Sequence, residues 1–173
     1  YKPCLAVILV GEDPASSIYV RRKKIACEEV GITAKEITFP HDVPAYELLS
    51  MIKYLDSDDD IDGILVQLPL PNHINKFDVF DAISPIKDVD VFTPHNAGLM
   101  VQNRHQFQPC TPQACREILL RSNIPIHGQN VAIVNRSIVV GQPLAHMLMQ
   151  NADFANATVT ICHEHTKNIA DIL

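Results

Sequence analysis

The sequence predicts an α/β fold made of two successive units, each built around a parallel sheet. Strand-like and helix-like segments alternate three times before position 86. Several of the strand segments are continuous apolar runs, which is typical of strands buried on both faces of a parallel sheet. A second alternation of strands and helices follows Pro112, after an irregular connection.

Each predicted element of the first unit is bounded by a residue that favours a turn or a cap. The apolar run Cys4–Val10 predicts a strand that ends at Gly11. Ser16 opens a helix that continues to about Val30. The remaining predicted elements are strands over residues 32–39 and 61–68 and helices over residues 44–56 and 75–84. This order is that of a parallel sheet with helices packed on it.

The pattern over residues 86–112 is irregular and contains Pro, Asn, His and Gly, which predicts a loop-rich connection. Beyond it, the pattern predicts helices over residues 113–121 and 142–150, strands over residues 131–134 and Thr158–Cys162, and a helix near Lys167. We place the boundary near Pro112, which gives domains 1–112 and 113–173. Because doubly wound nucleotide-binding sheets usually have about six strands, we expect the second domain to be partial. Tyr1 is not an initiator Met, so we also expect residues before it.

Composition excludes several classes of protein. The 173 residues carry a formal net charge of −6, and 47% are apolar types. This apolar content excludes a disordered chain, and an acidic chain lacks the basic surface of a nucleic-acid binder. The longest apolar run, Cys4–Val10, has the length of a strand, so we expect no membrane span. The five cysteines show no CxxC spacing and are expected to be free thiols in a reducing cytoplasm.

The helix that begins at Ser16 carries a lysine on its inward side. At about 100° per residue, Lys23 shares an apolar stripe with Ser16, Tyr19, Val20, Ala26, Cys27 and Val30. Lys23 is either a lysine that snorkels at the edge of the stripe or a partly buried lysine suited to proton transfer. Gln67 ends the third strand, where parallel sheets bind ligands. It can orient the lysine and a polar heterocycle, or it only bonds the adjoining loop.

Two loop segments carry further polar residues. In Lys87-Asp88-Val89-Asp90, a carboxylate can receive two N–H groups of an amino-pyrimidine-type ring, or the charges belong to a solvated loop. The segment VAIVNRSIVVG at residues 131–141 joins a strand, a tight loop and a helix start, as in a dinucleotide phosphate cradle. Asn135 stands where a glycine is expected and tolerates left-handed backbone. Arg136 and Ser137 can hold phosphate oxygens, or they are a surface arginine and a helix-entry serine.

Cys162-His163-Glu164-His165 follows the last predicted strand. The His-x-His spacing is found in metal sites, but the sequence shows no third ligand, so we expect no metal. In a dinucleotide-binding domain, this strand end contacts the adenosine ribose. An acid there favours a free 2′-hydroxyl, whereas Arg and Ser favour a 2′-phosphate.

These stretches resemble the bifunctional methylenetetrahydrofolate dehydrogenase/methenyltetrahydrofolate cyclohydrolase family. The matching segments are LAVILVGEDPASSIYVRRKKIACEEVGI, DGILVQLPLP, KDVD, PCTP, NRSIVVGQP and ATVTICHEHT. They occur in the family's order and cover nearly the whole chain. The resemblance implies an N-terminal α/β folate-binding catalytic domain and a Rossmann-type dinucleotide-binding domain, with a cleft between them.

The resemblance also implies roles by position. Lys23, Tyr19 and Gln67 match active-site residues, Ser16 lines the same cleft, and Asp90 anchors the pterin ring. The implied cofactor-binding residues are Asn135, Arg136, Ser137, Gly141, His163 and Glu164. NADP is the expected cofactor and NAD is possible, because Glu164 replaces a serine that is common there. Asn135 and Val91 replace glycines of the family.

The expected activity is NAD(P)-dependent oxidation of 5,10-methylenetetrahydrofolate, followed by hydrolysis of the methenyl product to 10-formyltetrahydrofolate. The resemblance implies a cytoplasmic homodimer of one-carbon metabolism and purine biosynthesis, with a folate substrate and no nucleic-acid or membrane partner. One alternative is a non-catalytic or single-activity homologue that binds folate or nucleotide. Another is a Rossmann dehydrogenase for a small hydroxy acid, which the missing GxGxxG loop disfavours.

Overall fold

The computed structural model describes residues 1–173, apart from the side chains of Pro14, Ala15 and Ser17. The chain divides into two units, Tyr1–Val89 and Asp90–Leu173. The first unit contains strands β1 (Cys4–Val10), β2 (Thr33–Phe39) and β3 (Gly63–Val66) and helices α1 (Pro14–Glu29), α2 (Ala45–Ser57) and α3 (Lys76–Asp81). The predicted α/β alternation of this unit is therefore confirmed.

β1 is the central strand of the first sheet. The strand order is β2-β1-β3 and both pairings are parallel. Alternate side chains of β1 point to opposite faces of the sheet. Ala6, Ile8 and Val10 pack in a core with α2, and Val7 and Leu9 pack in a second cluster with α1. This two-sided burial explains why the sequence of β1 is a continuous apolar run.

The two edges of this sheet differ. β2 forms one edge, and its Lys35 and Glu36 side chains are exposed. On the other side, the segment at Lys87 and Asp88 covers β3, because the Ile64 N–H donates to the Lys87 carbonyl at 2.8 Å. The Lys87 Nζ donates to two carbonyl oxygens at the end of α2, those of Leu55 at 3.2 Å and Asp58 at 2.7 Å. Lys87 therefore has a structural role in capping that helix.

α1 begins at Pro14 and not at the predicted Ser16. The Asp13 carboxylate accepts the Ser16 N–H at 2.7 Å, so Asp13 is the N-cap residue. An Asp followed by Pro is a signal for a helix start, because Pro tolerates the first helical position. Ser16 is buried in the first turn, at 3% exposure. The helix ends at Glu29, and Val30 is its C-cap.

Other predicted elements of the first unit are longer than the observed ones. The third strand covers Gly63–Val66 instead of residues 61–68, because its ladder with β1 ends at Val66. The third helix covers Lys76–Asp81 instead of residues 75–84. Asn75 is its N-cap, and its side chain accepts the Phe77 N–H at 3.1 Å. These differences concern the ends of elements, where regular hydrogen bonding stops.

The second unit also alternates helices and strands. Its elements are α4 (Pro94–Val101), α5 (Cys110–Arg121), β4 (Asn130–Val134), α6 (Gly141–Met149), β5 (Thr158–Cys162) and a 3₁₀ turn (Ile169–Asp171). β4 and β5 pair in parallel, with Val134 opposite Cys162. The core of the unit consists of Ile126, Ile133, Ala145, Leu148 and Ala157. The two predicted strands are confirmed, whereas the helix predicted near Lys167 is a single turn.

The connection over residues 86–112, predicted to be loop-rich, contains a helix that the sequence pattern does not predict. Pro94–Val101 is a helix, and the Thr93 side chain caps it by accepting the Asn96 N–H at 3.3 Å. α4 packs against α6, and the Gln150 side chain donates to the Met100 carbonyl at 2.7 Å. α5 begins at Cys110, earlier than the predicted position 113. Residues 90–112 therefore fold with the second unit. The division into domains 1–112 and 113–173 stays a prediction.

Candidate functional site

The structure brings Lys23 and Gln67 into direct contact. Lys23 is half-buried on α1, and its Nζ donates to the Gln67 Oε1 at 3.0 Å. The Gln67 Nε2 donates to the Leu68 carbonyl at 2.8 Å. Because both ends of the amide are engaged, its oxygen is fixed toward the lysine. The pair is thus a positioned ammonium or amine group at the carboxyl end of β3.

The inward side of α1 is narrower than predicted. Val20 and Cys27 are buried, and Lys23 lies between them on the same side. In contrast, Tyr19 is 59% exposed and Val30 is 71% exposed, and Ala26 is also exposed. The apolar cluster between α1 and the sheet is small, so only one row of α1 side chains packs against it. The Tyr19 ring is therefore free to face a ligand.

Asp90 lies at the start of the second unit and contacts the beginning of α5. Its Oδ1 accepts the Cys110 N–H at 3.4 Å. Pro109, the N-cap of α5, supplies no side-chain acceptor, so Asp90 takes that role from a distant position. The positive end of the helix dipole stabilises a negative charge there. The half-buried Asp90 keeps a second carboxylate oxygen for another donor.

The residue after Asp90 has an unusual backbone conformation. Val91 has φ +61° and is buried, at 7% exposure. A β-branched residue in the left-handed region is strained, whereas a glycine adopts it freely. Val91 thus keeps the backbone turn that a glycine would make, and adds an apolar side chain to the interior.

The loop after β4 is held by its own polar side chains. The Asn135 Oδ1 accepts the Ser137 N–H at 2.7 Å, and the Ser137 Oγ accepts the Val140 N–H at 3.0 Å. The Gln142 N–H donates to the Ser137 carbonyl at 3.0 Å. Asn135 does not use the left-handed backbone that asparagine tolerates, since its φ is not positive. Its side chain closes the turn instead.

Gly141 begins α6 where the chain returns against this loop. A Cβ atom on Gly141 would lie 2.0 Å from the carbonyl oxygen of Asn135 and 2.5 Å from its carbonyl carbon. Only glycine permits so close an approach of two backbone segments. The compact strand–loop–helix that results is the form that dinucleotide phosphates bind.

Arg136 and Glu164 form an ion pair at the carboxyl ends of β4 and β5. A hydrogen bond from its own backbone N–H and the adjacent guanidinium lower the pKa of the Glu164 carboxyl. Both side chains are accessible, with exposed fractions of 47% for Arg136 and 61% for Glu164. The pair therefore presents one cation and one anion to a ligand at the same strand ends.

His163 holds the segment that carries Glu164. Its backbone N–H donates to the Thr166 hydroxyl at 2.8 Å, and its Nδ1 accepts the His165 N–H at 3.1 Å. Because Nδ1 is an acceptor, the ring proton lies on Nε2. Throughout the part of the chain that the structure describes, there is no group of three or more His, Cys, Asp or Glu side chains arranged to hold a metal ion. Within the same residues, no helix is both long and apolar enough to cross a membrane.

A cavity that the sequence analysis did not predict lies at the carboxyl ends of β1 and β3. It has a volume of about 510 Å³ and is lined by Gly11, Glu12, His41, Leu70, Asn72 and His73, among others. The His73 Nε2 bonds the Val43 carbonyl at 2.9 Å. Lys23 and Gln67 are not among its lining residues. The two isolated histidines gave no spacing signal in the sequence.

Comparisons with known proteins agree with this geometry. Two family models match the chain. They are described as "Tetrahydrofolate dehydrogenase/cyclohydrolase, catalytic domain", over residues 1–90, and "Tetrahydrofolate dehydrogenase/cyclohydrolase, NAD(P)-binding domain", over residues 109–173. The chain is 48% identical to the bifunctional protein FolD of Agathobacter rectalis, covering 98% of this chain and 59% of that protein. Against FolD of Maridesulfovibrio salexigens, the identity is 50% with the same coverage.

Solved structures show the same similarity. The bifunctional FolD enzyme of Campylobacter jejuni superposes with a TM-score of 0.89 at 42% identity, covering 99% of this chain and 60% of that one. FolD of Trypanosoma brucei, solved with NADP and an inhibitor, gives a TM-score of 0.90 at 33% identity, covering 98% and 57% of the two chains. The chain therefore spans less than two thirds of the length of these relatives.

Proposed function

Because the chain belongs to the tetrahydrofolate dehydrogenase/cyclohydrolase family, we propose that it is the folate-binding part, with a portion of the dinucleotide-binding part, of a bifunctional enzyme. Its proposed reactions are oxidation of 5,10-methylenetetrahydrofolate and hydrolysis of the methenyl product to 10-formyltetrahydrofolate. The observation that carries this proposal is the hydrogen bond between the Lys23 Nζ and the Gln67 Oε1, at 3.0 Å. Ligand binding alone does not require a lysine held in this way.

In the hydrolytic reaction, we assign proton transfer to Lys23. Water adds to the methenyl carbon, and the bond from that carbon to one ring nitrogen then breaks. The Lys23 Nζ carries one proton from the water to the departing nitrogen, and a second proton is released to solvent. Gln67 orients the Nζ, the exposed Tyr19 ring packs on the folate, Ser16 lines its site, and Asp90 accepts N–H groups of the pterin.

The residues at the carboxyl ends of β4 and β5 fit a dinucleotide. Arg136 offers an exposed guanidinium, Ser137 shapes the loop, and Gly141 allows the loop to pack against α6. When bound, NAD(P) supplies the hydride acceptor of the first reaction. The residues of this chain would hold and orient it, with Asn135 and His163 fixing the backbone on either side.

A spectroscopic assay of the protein with methylenetetrahydrofolate and either NADP or NAD tests the proposal. Formation of the methenyl product, followed by its hydrolysis, is the expected result. Binding of folate and dinucleotide without turnover would assign the protein to the non-catalytic alternative. We also propose a cytoplasmic homodimer that serves one-carbon metabolism and purine biosynthesis, and size-exclusion chromatography with light scattering tests the dimer.

Asp90→Ala is expected to weaken folate binding and to leave dinucleotide binding unchanged. The loss of a charge-assisted pair with the pterin corresponds to roughly 1.5–3 kcal/mol, or about 10- to 150-fold in the dissociation constant. Isothermal titration with folate and with dinucleotide measures both constants.

Asp90→Asn is the matched control for the structural role of Asp90. Asparagine keeps an oxygen for the Cys110 N–H but lacks the negative charge. We expect Asp90→Asn to retain the stability of α5 and to lose most of the folate affinity. An unchanged folate dissociation constant in both variants would remove Asp90 from the binding site.

The Arg136–Glu164 pair is expected to set the choice between NADP and NAD. We propose NADP as the cofactor, with Arg136 holding the 2′-phosphate once Glu164 turns toward solvent. With NAD, Glu164 would instead accept the 2′-hydroxyl. Glu164→Ser should therefore raise the NADP/NAD ratio of kcat/KM, and Arg136→Ala should lower it.

Glu117→Ser is the matched control for this prediction, because Glu117 pairs with Arg121 on α5, away from the strand ends. It should leave the NADP/NAD ratio unchanged. If neither Glu164→Ser nor Arg136→Ala moves the ratio by more than about twofold, or ~0.4 kcal/mol, then these two residues do not contact the ribose.

A further inference from the structure

Gln108 lies at the centre of a chain of three hydrogen-bonded side chains in the second unit. The Arg116 Nη2 donates to the Gln108 Oε1 at 3.0 Å. The Gln108 Nε2 lies 2.7 Å from the His105 Nε2. These hydrogen bonds join the segment before α5 to the second turn of α5 itself. None of these three residues belongs to the folate or dinucleotide site described above.

The donor and acceptor groups of the three side chains fix the direction of both hydrogen bonds. Arginine is a donor only, so the oxygen of the Gln108 amide must face Arg116. The amide NH₂ then faces His105, whose Nε2 must accept. The proton of the neutral His105 ring therefore lies on Nδ1. Gln108 is thus held in one orientation from both sides.

A contribution to the stability of the fold does not by itself account for the hydrogen bonds among His105, Gln108 and Arg116. The His105 Nδ1 and the Arg116 Nε are buried, and neither finds a hydrogen-bond partner among the residues that the structure describes. Buried donors without partners destabilise a fold, and an apolar contact at this place would not carry that penalty. What these hydrogen bonds provide is a fixed position for the segment that leads into α5.

That segment leads directly to Asp90. Gln108 is followed by Pro109, the N-cap of α5, and then by Cys110, whose N–H donates to the Asp90 Oδ1 at 3.4 Å. This bond is long, so a small displacement of the start of α5 is enough to lose it. All of these residues belong to the same unit.

We propose that Gln108 is a positioning residue, which holds the start of α5 so that the Cys110 N–H orients Asp90 for the pterin ring. The inference rests on the proposed function, because it takes Asp90 as the folate anchor. It adds a residue whose effect on folate passes through a backbone N–H and a carboxylate.

Hydrogen exchange of the Cys110 amide tests the positioning without any turnover. Gln108→Met keeps the length of the side chain and removes both hydrogen bonds, so we expect the Cys110 amide to exchange about tenfold faster. Gln108→Glu should stay within about threefold of the parent, because a carboxylate still accepts from Arg116 and can accept from the other tautomer of His105. Gln113→Met, at an exposed position on α5, is the control and should change nothing.

Steady-state kinetics test the link to folate. We expect Gln108→Met to raise the KM for folate about tenfold, with kcat and the KM for the dinucleotide within about threefold. In an Asp90→Asn background, the same substitution should have no further effect on the folate KM, because the two residues act in series. A purely structural role would raise both KM values together and would add to the effect of Asp90→Asn.

Unchanged exchange at Cys110 in Gln108→Met would overturn the proposal, as would a parallel rise of both KM values. If Gln108→Met is not recovered folded, Arg116→Met breaks the same chain from the helix side and must accelerate exchange at Cys110. If the parent protein shows no folate turnover, the proposed function fails. Exchange at Cys110 then still decides whether Gln108 positions the start of α5.

Discussion

Replacing Lys23 with methionine is expected to abolish hydrolysis of the methenyl substrate while folate still binds. The Nζ that donates to Gln67 is lost, and a positioned general acid–base group contributes about 10²- to 10⁴-fold to a rate. The fold should tolerate the change, because Lys23 is half-buried between Val20 and Cys27 and a methionine packs there. Loss of methenyl absorbance measures the rate, and isothermal titration measures folate binding.

The neighbouring exposed residue Lys24 offers the control. Lys24→Met removes the same charge from α1 without touching Gln67, so hydrolysis should remain at the parent rate. A Lys23→Met variant that hydrolyses the methenyl substrate within about tenfold of the parent would remove Lys23 from the mechanism.

Gly141→Ala is expected to have the largest effect on stability. The added methyl group would lie 2.0 Å from the Asn135 carbonyl oxygen, well inside van der Waals contact. The loop cannot move aside freely, because Asn135 accepts the Ser137 N–H and the Ser137 carbonyl in turn accepts the Gln142 N–H at the start of α6. We expect the second unit to lose at least about 3 kcal/mol of its free energy of unfolding. Urea denaturation followed by circular dichroism measures this loss.

Gly98 is the matched control within the same unit. It lies inside α4, and a Cβ atom there would meet nothing within 4 Å. Gly98→Ala should therefore stabilise the unit by about 0.5–1 kcal/mol, because alanine loses less backbone entropy in a helix. If Gly141→Ala costs less than about 1 kcal/mol, the close approach of the loop to α6 is not a constraint on the fold.

The strands were the most predictable part of the fold. β1 and β5 have the predicted bounds. For β1, the apolar run reflects burial on both faces of a parallel sheet, whereas β5 is mostly exposed and is marked by its β-branched residues. Helix ends were less predictable, because Asp13 and Ser16 are both residue types that cap helices. Asp13 is the N-cap in the structure, so α1 begins at Pro14 and not at Ser16. The sequence pattern does not reveal α4, because its eight residues begin with Pro-His-Asn and are too few to show an apolar period of 3.6. Its only local signal is the capping pair Thr93-Pro94.

The candidate site was predictable where one residue follows a strand and the other lies on an inward helix face. Lys23 and Gln67 meet for this reason, although 44 residues separate them. The Arg136–Glu164 pair follows from the register of β4 and β5, which places both side chains just beyond adjacent strand ends. The sequence does not contain that register. The hydrogen bond from the Cys110 N–H to Asp90 was also unpredictable, because it depends on how residues 90–112 pack within the second unit.

The outer edge of β2 also affects how copies of the protein behave toward one another. A parallel sheet that ends in an open strand offers unpaired N–H and C=O groups, to which a strand of another molecule can add. Lys35 and Glu36 lie exposed in the middle of that strand, on opposite faces of the sheet. An incoming strand would have to strip water from both charges, which disfavours growth of a continuous sheet through many molecules. These two residues therefore disfavour polymerisation and aggregation of the protein through the β2 edge.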